Sequence, residues 1–369
     1  MHGTGAPLGR FTHEVPREAQ EAAHAVAAVL AEAQHVLVLG HASADGDVCG
    51  SSLGLAQALR ERGKDVVVYN EHPYPDAYRW LVGGEDVVTH LSADISFDAT
   101  VVVDAARPDR LGKDFPCRAR RGTYIWIDHH RAGSANGSPP GDVAYVDLTA
   151  AAVGEQIAQV LDAMGHKLTP EVARCLYASL LADTGGFRYG NTSARAFRLA
   201  ARLVEIGVDP WEMTERIYES QDEARIRLLG RALQTLWLSP CRRVGVVDVT
   251  QEDLESLGAR DEHVQGLVNH VRGIKGVEVA LLLREQHGTS TKVIARSRGN
   301  VSIASVVQPL GILGHKNAAT FLLDKALPDA RALVVDAFLA ALPRALPAAA
   351  EKIERRSLRK SRRHARPAE

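Results

Sequence analysis

The first half of the chain alternates short apolar runs with longer amphipathic segments. Continuous apolar runs that stop abruptly at polar or acidic residues are typical of buried strands, and an apolar repeat of three to four residues is typical of helices. This pattern predicts strands over 35–40, 65–69, 100–104 and 123–128, and helices over 18–32 and 48–62. Strands that alternate with helices indicate an α/β fold with a mainly parallel sheet flanked by helices.

The second half changes from helical to mixed patterning. Helices are predicted over 154–164, 170–182 and 194–206, and helical patterning dominates as far as Trp237. Strands are then predicted over 243–250, 277–284, 291–297 and 321–325, with helices over 261–270, 302–308 and 329–342. This return of strand signals predicts a second, smaller α/β domain at the C-terminal end.

The length of 369 residues favours two domains. We expect a flexible N-terminus over 1–18, a catalytic domain over 19–195, a helical connection over 196–240, a substrate-binding domain over 241–345 and a basic tail over 346–369. Within that tail, residues 351–369 hold eight Lys or Arg against three Glu. Such a tail is typical of a solvated segment, and weak attraction to RNA is the alternative.

Composition and charge narrow the class of protein. Apolar residues make up 46% of the chain, and the formal net charge is -1, which argues against a protein that grips long duplex nucleic acid over a wide face. The four cysteines are far apart and form no CxxC pair, which suits a reducing compartment. With no apolar signal-peptide region in residues 1–18 and no long apolar run, we expect a cytoplasmic protein without a membrane span.

Acidic and histidine residues concentrate in four places, mostly where predicted strands end. The first strand leads into His41, Asp45 and Asp47, and the 170–182 helix leads into Asp183. The strand over 100–103 leads into Asp104, and that over 124–127 leads into Asp128-His129-His130. Ligands of open parallel sheets bind beyond the carboxyl ends of the strands, so the first three clusters should converge there. Each Asp alone is more typical of a helix cap or a turn than of a functional site, but the joint pattern favours a functional site.

The residue types in these clusters indicate divalent metals. Carboxylate oxygens suit Mg²⁺ and Mn²⁺, and imidazole moves the preference toward Mn²⁺. Asp45 and Asp47 are spaced to reach two separate metals, and Asp104 is the best candidate for a carboxylate that bridges them. The expected chemistry is attack on a phosphate ester by water that the two metals activate.

These residues carry a resemblance to a known family. The chain resembles the DHH phosphoesterase superfamily, in its branch with a C-terminal DHHA1 domain, and most of all its bifunctional oligoribonuclease and 3′-phosphoadenosine 5′-phosphate phosphatase members. The resemblance covers roughly residues 34–342. Its motifs match His41 with Asp45-Gly46-Asp47 and Ser51-Ser52-Leu53-Gly54, then Asp104, then Asp128-His129-His130, and finally Asp183-Thr184-Gly185 with Phe187-Arg188-Tyr189.

The resemblance also implies roles for these residues. It implies two metals that share Asp104: one is also held by His41 and Asp45, and the other by Asp47, His129 and Asp183. His130 would face the phosphate as a hydrogen-bond donor or general acid, and Asp128 would orient neighbouring groups. Arg188 would help to bind the scissile phosphate.

The second domain matches the family less closely. Members carry Arg-Ser on a strand and a four-glycine turn followed by His, which hold the far end of the substrate. Here Arg296-Ser297 is followed by Gly311-Ile312-Leu313-Gly314-His315. Two of the glycines are therefore replaced by bulky residues, which narrows or reshapes a turn whose backbone N–H groups approach a phosphate. Gly311, Gly314 and His315, with Arg296 and Ser297, remain the expected substrate-binding residues.

The function that follows is hydrolysis of short RNA or DNA, linear dinucleotides or 3′-phosphoadenosine 5′-phosphate. Two alternatives stay open: an inorganic pyrophosphatase with the same metal site, and a non-catalytic nucleotide-binding protein. By analogy with the family, a homodimer is the expected assembly.

Overall fold

A computed structural model of the chain describes residues 15–130, 139–286, 289–298, 301–312 and 316–342. The chain divides into two compact units, with the division between Ser220 and Gln221. That division lies inside the 196–240 connection expected from the sequence. Residues 1–14 and the basic tail lie outside the described residues. None of the helices in the described ranges is both long and apolar enough to cross a membrane.

The first unit is built on a parallel sheet. In the described part of the chain this sheet has five strands in the order β2-β1-β3-β4-β5, and every neighbouring pair is parallel. The strands are β1 (His35–Leu39), β2 (Asp65–Tyr69), β3 (Ala99–Val103), β4 (Thr123–Asp128) and β5 (Val143–Val146). The helices of this unit are α1 (Arg17–Glu32), α2 (Gly46–Glu61), α3 (Asp76–Arg79), α4 (Val153–Ala163), α5 (Pro170–Thr184), α6 (Ala194–Ile206) and α7 (Pro210–Thr214).

The two faces of this sheet are covered differently. Side chains that alternate along a strand point to opposite faces, so Val36 and Val38 of β1 pack in the core formed with α1, α2, α4 and α5. Leu37 and Leu39 point to the other face, where they pack with residues of the connecting segments, including Leu91 and Leu111. Both faces are therefore buried, which explains why these strands are continuous apolar runs.

The second unit contains a mixed sheet and its own core. Within the described residues its strand order is β10-β9-β8-β7-β6, and only β7 and β8 pair in parallel. The strands are β6 (Trp237–Leu238), β7 (Val244–Val249), β8 (Val279–Glu285), β9 (Thr291–Ser297) and β10 (Ala318–Leu323). The helices are α8 (Glu223–Gln234), α9 (Gln251–Leu257), α10 (Val268–Arg272), α11 (Ile303–Val307) and α12 (Leu327–Ala341). The predicted fold class, two α/β units with the parallel sheet in the first, is confirmed.

Three local predictions were wrong. The single helix predicted over 261–270 is a 3₁₀ turn, Asp261–Val264, followed by α10, because Gly266 has a φ of 80° that breaks the helix. The strand predicted over 321–325 is Ala318–Leu323, since its register is set by pairing with β9. The sequence pattern also missed β5, whose four residues form the edge of the first sheet.

Candidate metal centre

Three neighbouring strands deliver polar side chains to one edge of the first sheet. β1, β3 and β4 lie side by side in parallel, so their carboxyl ends meet. His41 follows β1, Asp104 follows β3, and Asp128 is the last residue of β4. The predicted convergence of the first three clusters is therefore present in the structure.

The start of α2 adds two carboxylates with different environments. Asp45 caps the helix, because its Oδ1 accepts hydrogen bonds from the backbone N–H groups of Asp47 and Val48. Its other oxygen, Oδ2, lies 3.7 Å from Nε2 of His41. The Asp47 side chain is fully buried. Its two oxygens accept hydrogen bonds from the Ser179 hydroxyl at 2.5 Å and from the Val153 N–H at 2.8 Å.

Asp104 lies between the histidines of the other clusters. Its Oδ2 is 3.9 Å from Nε2 of His41, and its Oδ1 is 3.5 Å from Nε2 of His129 and 3.2 Å from Nδ1 of His130. The residue has a φ of 51°, in the left-handed region that Asp tolerates better than most residues. Its N–H donates to the Ile127 carbonyl, which ties this conformation to β4.

His129 presents one ring nitrogen to three carboxylates. Its Nδ1 lies 3.2 Å from the Ala150 carbonyl, and because a carbonyl only accepts, Nδ1 carries the proton. In the neutral ring Nε2 therefore has the lone pair that a metal requires, and it lies 3.5 Å from Asp104, 3.5 Å from Asp183 and 3.9 Å from Asp47. A ligating histidine whose other nitrogen donates to a carbonyl is the usual arrangement at metal sites.

His130 is oriented by Asp128 instead. Oδ1 of Asp128 accepts hydrogen bonds from both the backbone N–H and Nδ1 of His130, at 2.9 and 2.8 Å. Oδ2 of Asp128 accepts from the Ala106 N–H at 2.6 Å and so fixes the loop that carries Asp104. Asp128 is buried, and both of its oxygens are engaged in these contacts.

The end of α5 supplies Asp183, and the turn that follows supplies Arg188. The helix continues two residues beyond its predicted end, through Thr184, and Gly185 caps it in the left-handed conformation with a φ of 58°. Nε of Arg188 donates to the Gly185 carbonyl at 2.6 Å. Arg188 therefore lies on the turn next to the metal-binding candidates, and its side chain is exposed.

The pKa values reflect the crowding of negative charge. Burial, and then the carboxylates of Asp104 and Asp183, raise the pKa of Asp47 well above its ordinary range. Burial and neighbouring carboxylates raise the pKa of Asp183 to about 7. Burial also disfavours the charged form of Asp104, but the imidazoles of His129 and His130 outweigh it and hold its pKa below the ordinary value.

Both histidines have raised pKa values, although burial alone would lower the pKa of an imidazole. Burial disfavours the charged form of His129, but Asp104, Asp47 and Asp183 outweigh it and raise the pKa. For His130, burial is likewise outweighed by Asp104 and Asp128, and the pKa rises to about 10. Carboxylates gathered this closely repel one another, so a bound cation would relieve their repulsion.

The donor set fits divalent cations. Three groups have ligand atoms within 4.8 Å of one another: His41 with Asp45 and Asp104, Asp47 with His129 and Asp183, and Asp104 with His129 and His130. Carboxylate oxygens with one or two imidazole nitrogens suit Mn²⁺ or Mg²⁺. The first two groups contain all six residues expected as ligands. In the third, Nδ1 of His130 is already bound by Asp128.

Sequence reasoning missed the buried residues behind these side chains. Ser179 binds Asp47 directly, and Gln156 donates to the carbonyl of Asp128 at 3.0 Å. Ser179 had a detectable signal, because it lies four residues before Asp183 and so shares its face of the helix. The contact between Val153 and Asp47 joins residues 106 positions apart, and no local pattern indicates it.

The substrate-binding candidates lie in the second unit. Ala318 of β10 pairs with Arg296 of β9. The Ser297 hydroxyl donates to the Val301 carbonyl, and Ile312 packs against the core of this unit. Gly314 and His315 lie outside the described residues.

Comparison with known proteins identifies the family. Residues 35–180 match the sequence profile described as "DHH family, N-terminal domain". The chain is 32% identical over 286 residues to the bifunctional oligoribonuclease and PAP phosphatase NrnA of Thermus thermophilus, a match that covers 77% of this chain and 82% of that protein.

Solved structures share the fold. An exopolyphosphatase-related protein from Bacteroides fragilis has a TM-score of 0.79 at 24% identity, covering 87% of this chain and 96% of that one. RecJ in complex with Mn²⁺ from Thermus thermophilus has a TM-score of 0.50 at 16% identity, covering 89% of this chain and 56% of that one. Together with the NrnA relative, the matched motifs show that the chain belongs to the DHH phosphoesterase family.

Proposed function

We propose that this protein is a metal-dependent phosphoesterase that hydrolyses short oligonucleotides or linear dinucleotides to mononucleotides, and 3′-phosphoadenosine 5′-phosphate to AMP. The observation that carries the proposal is the position of Asp104, with one oxygen toward His41 and the other toward His129. The name of the Thermus thermophilus relative supports the choice of substrates and disfavours the pyrophosphatase alternative.

The cofactors in this proposal are two divalent cations, Mn²⁺ rather than Mg²⁺ because histidines share the site with carboxylates. The residues that would hold them are His41, Asp45, Asp47, Asp104, His129 and Asp183. When bound, such a pair activates a water molecule and offsets charge on the phosphoryl oxygens. The protein's part is to hold the six ligands in place through backbone and hydroxyl contacts.

Two further residues would act on the phosphate, and Asp128 would orient one of them. His130, whose pKa is about 10, is an imidazolium at neutral pH and can donate a hydrogen bond or a proton. Asp128 binds Nδ1 of that ring, which leaves Nε2 to face the phosphate. Arg188 lies on the turn after Asp183, where its guanidinium would bind the scissile phosphate.

The second unit would bind the far end of the substrate. Arg296, Ser297 and Gly311 supply candidate contacts, and the sequence resemblance adds Gly314 and His315. A preference for short substrates agrees with the net charge of -1, which argues against a grip on long nucleic acid. The expected domain limits, a cytoplasmic location and a homodimer belong to the same proposal.

The test is hydrolysis of a labelled substrate panel. The panel contains pApA, pGpG, a long RNA, 3′-phosphoadenosine 5′-phosphate and pyrophosphate, each with Mn²⁺ and with chelator. We expect Mn²⁺-dependent cleavage of the dinucleotides and of 3′-phosphoadenosine 5′-phosphate, and little cleavage of the long RNA. Turnover of pyrophosphate alone would instead support the pyrophosphatase alternative, and nucleotide binding without turnover of any substrate would support the non-catalytic one.

A further inference from the structure

A buried ion triad lies behind the metal centre. Arg195, in the first turn of α6, donates from Nε to Glu155 at 2.5 Å and from Nη2 to Asp147 at 2.9 Å. The two carboxylate side chains are 1% and 3% exposed, and that of Arg195 is 12% exposed. Two buried carboxylates this close would repel each other strongly, and the planar guanidinium fork binds both at once.

Both carboxylates also hold the segment between β5 and α4. Oδ1 of Asp147 accepts hydrogen bonds from the N–H and the hydroxyl of Thr149, at 2.9 and 2.6 Å. Oε1 of Glu155 accepts from the N–H of Ala151 at 3.0 Å. Arg195 therefore binds one oxygen of each carboxylate, while the other oxygen fixes the backbone of residues 149–151.

That segment contacts the metal-binding candidates directly. The Ala150 carbonyl accepts from Nδ1 of His129, and the Val153 N–H donates to Asp47. These contacts decide which nitrogen of His129 carries its proton and where the Asp47 carboxylate points. A displacement of the segment would therefore move both side chains.

We propose that Arg195 is a positioning residue for the metal centre, acting through Glu155 and Asp147 on the backbone that orients His129 and Asp47. The inference rests on the proposed metal-dependent function. Groups that hydrogen-bond metal ligands change metal affinity by about 10- to 100-fold when they are removed, and Arg195 would act on such groups through Glu155 and Asp147.

The same helix provides a matched control. Arg202 also joins α6 to α4, through two hydrogen bonds of 2.7 and 2.6 Å to Asp162. Its side chain and that of Asp162 are 41% and 46% exposed. Asp162 lies seven residues beyond Glu155 in α4, about two helical turns farther from the 149–151 backbone. Both arginines therefore link α6 to α4. An effect on the metal centre is expected for Arg195 and not for Arg202.

The experiment measures Mn²⁺ binding to the metal-free full-length protein by titration calorimetry, with urea unfolding alongside. We expect Arg195→Met to weaken Mn²⁺ binding by about 10- to 100-fold and Arg202→Met to leave it unchanged. Because Arg195→Met leaves two buried carboxylates unpaired, Arg195→Lys is the second variant. Lysine keeps the positive charge but lacks the planar guanidinium that binds both carboxylates at once. We therefore expect a folded protein with a smaller loss of Mn²⁺ affinity than Arg195→Met shows.

The outcomes distinguish the positioning role of Arg195 from the proposed metal-dependent function. If the arginine variants lose stability but keep wild-type Mn²⁺ affinity, Arg195 is only structural and the inference is overturned. If the folded wild-type protein binds no Mn²⁺, the proposed function fails, and the positioning role fails with it. Weaker binding in Arg195→Met and Arg195→Lys, beside unchanged binding in Arg202→Met, supports the inference.

Discussion

The hydroxyl of Ser179 donates a 2.5 Å hydrogen bond to Oδ1 of Asp47, and the same oxygen of Ser179 accepts from the N–H of Gly154. One serine thus joins α5, α2 and α4 at the point where a fully buried carboxylate faces the metal centre. Hydrogen bonds favour the charged form of a buried carboxylate, so the state of Asp47 depends on this contact.

Ser179→Ala tests that dependence. Without the hydroxyl, the pKa of Asp47 rises further, and a carboxylate must lose its proton to bind a metal. A hydrogen bond to a charged group contributes about 1.5–3 kcal/mol, so Mn²⁺ binding should weaken by about 10- to 100-fold. Titration calorimetry measures this change. Cys175→Ala, one turn earlier in α5, is the control and should alter stability alone.

Gly154 allows α4 to approach Ser179. A Cβ at Gly154 would lie 2.3 Å from Oγ of Ser179, whereas a Cβ at Gly230 of α8 would meet nothing within 4 Å. Gly154→Ala should therefore lower the free energy of unfolding by about 1–3 kcal/mol. Gly230→Ala should raise it by about 0.5–1 kcal/mol, because Ala favours the helix. Urea unfolding of both variants checks the prediction, and equal effects would count against close packing at Gly154.

Mn²⁺ affinity should rise with pH. In the metal-free protein the pKa of Asp183 is about 7 and that of His129 is raised above its ordinary value, so these two groups hold protons near neutral pH. Metal binding must displace those protons. The affinity should therefore increase by about tenfold per pH unit for each proton released, and the contribution of Asp183 to this slope should diminish above pH 7 as that carboxyl group deprotonates. Calorimetry at pH 6 to 8 would show a constant affinity if the carboxylates were already ionised.

Asp128→Asn should change the pKa of His130 more than it changes the affinity for Mn²⁺. Asp128 helps to raise the pKa of His130 to about 10, so loss of its charge lowers that pKa. If the imidazolium acts in catalysis, the alkaline limb of the pH–rate profile should then move to lower pH. The pKa can be followed by NMR titration of the His130 ring. An unchanged alkaline limb, with a lowered pKa, would remove His130 from the proposed acid role.

Much of the fold could be predicted because the strands of the first sheet are buried on both faces. Continuous apolar runs mark β1, β2 and β4 within a residue or so. β5 has only four residues at a sheet edge, and its pairing with β4 is a tertiary contact. α9 was also missed, although Thr250 and Asp253 form a capping box that is readable in the sequence.

In the candidate site too, some positions could be predicted from the sequence and others could not. Strand ends fix the positions of Asp104 and His129, so sequence order alone brings these residues together. The contacts of Asp47 with Ser179 and Val153 span 132 and 106 residues, and they arise only when α2, α4 and α5 pack together. The groups that orient the expected ligands therefore could not be predicted as a set.

The most direct test of the central claim is pApA hydrolysis by wild-type protein and by Asp104→Asn at saturating Mn²⁺. Asn has nearly the same shape and tolerates the φ of 51° at this position, so the loop should keep its conformation. We predict rapid wild-type cleavage that chelator abolishes, and a loss of about 100- to 1000-fold in the variant, since the carboxylate that lies between His41 and His129 is gone. A folded Asp104→Asn protein that cleaves pApA at the wild-type rate would contradict the account.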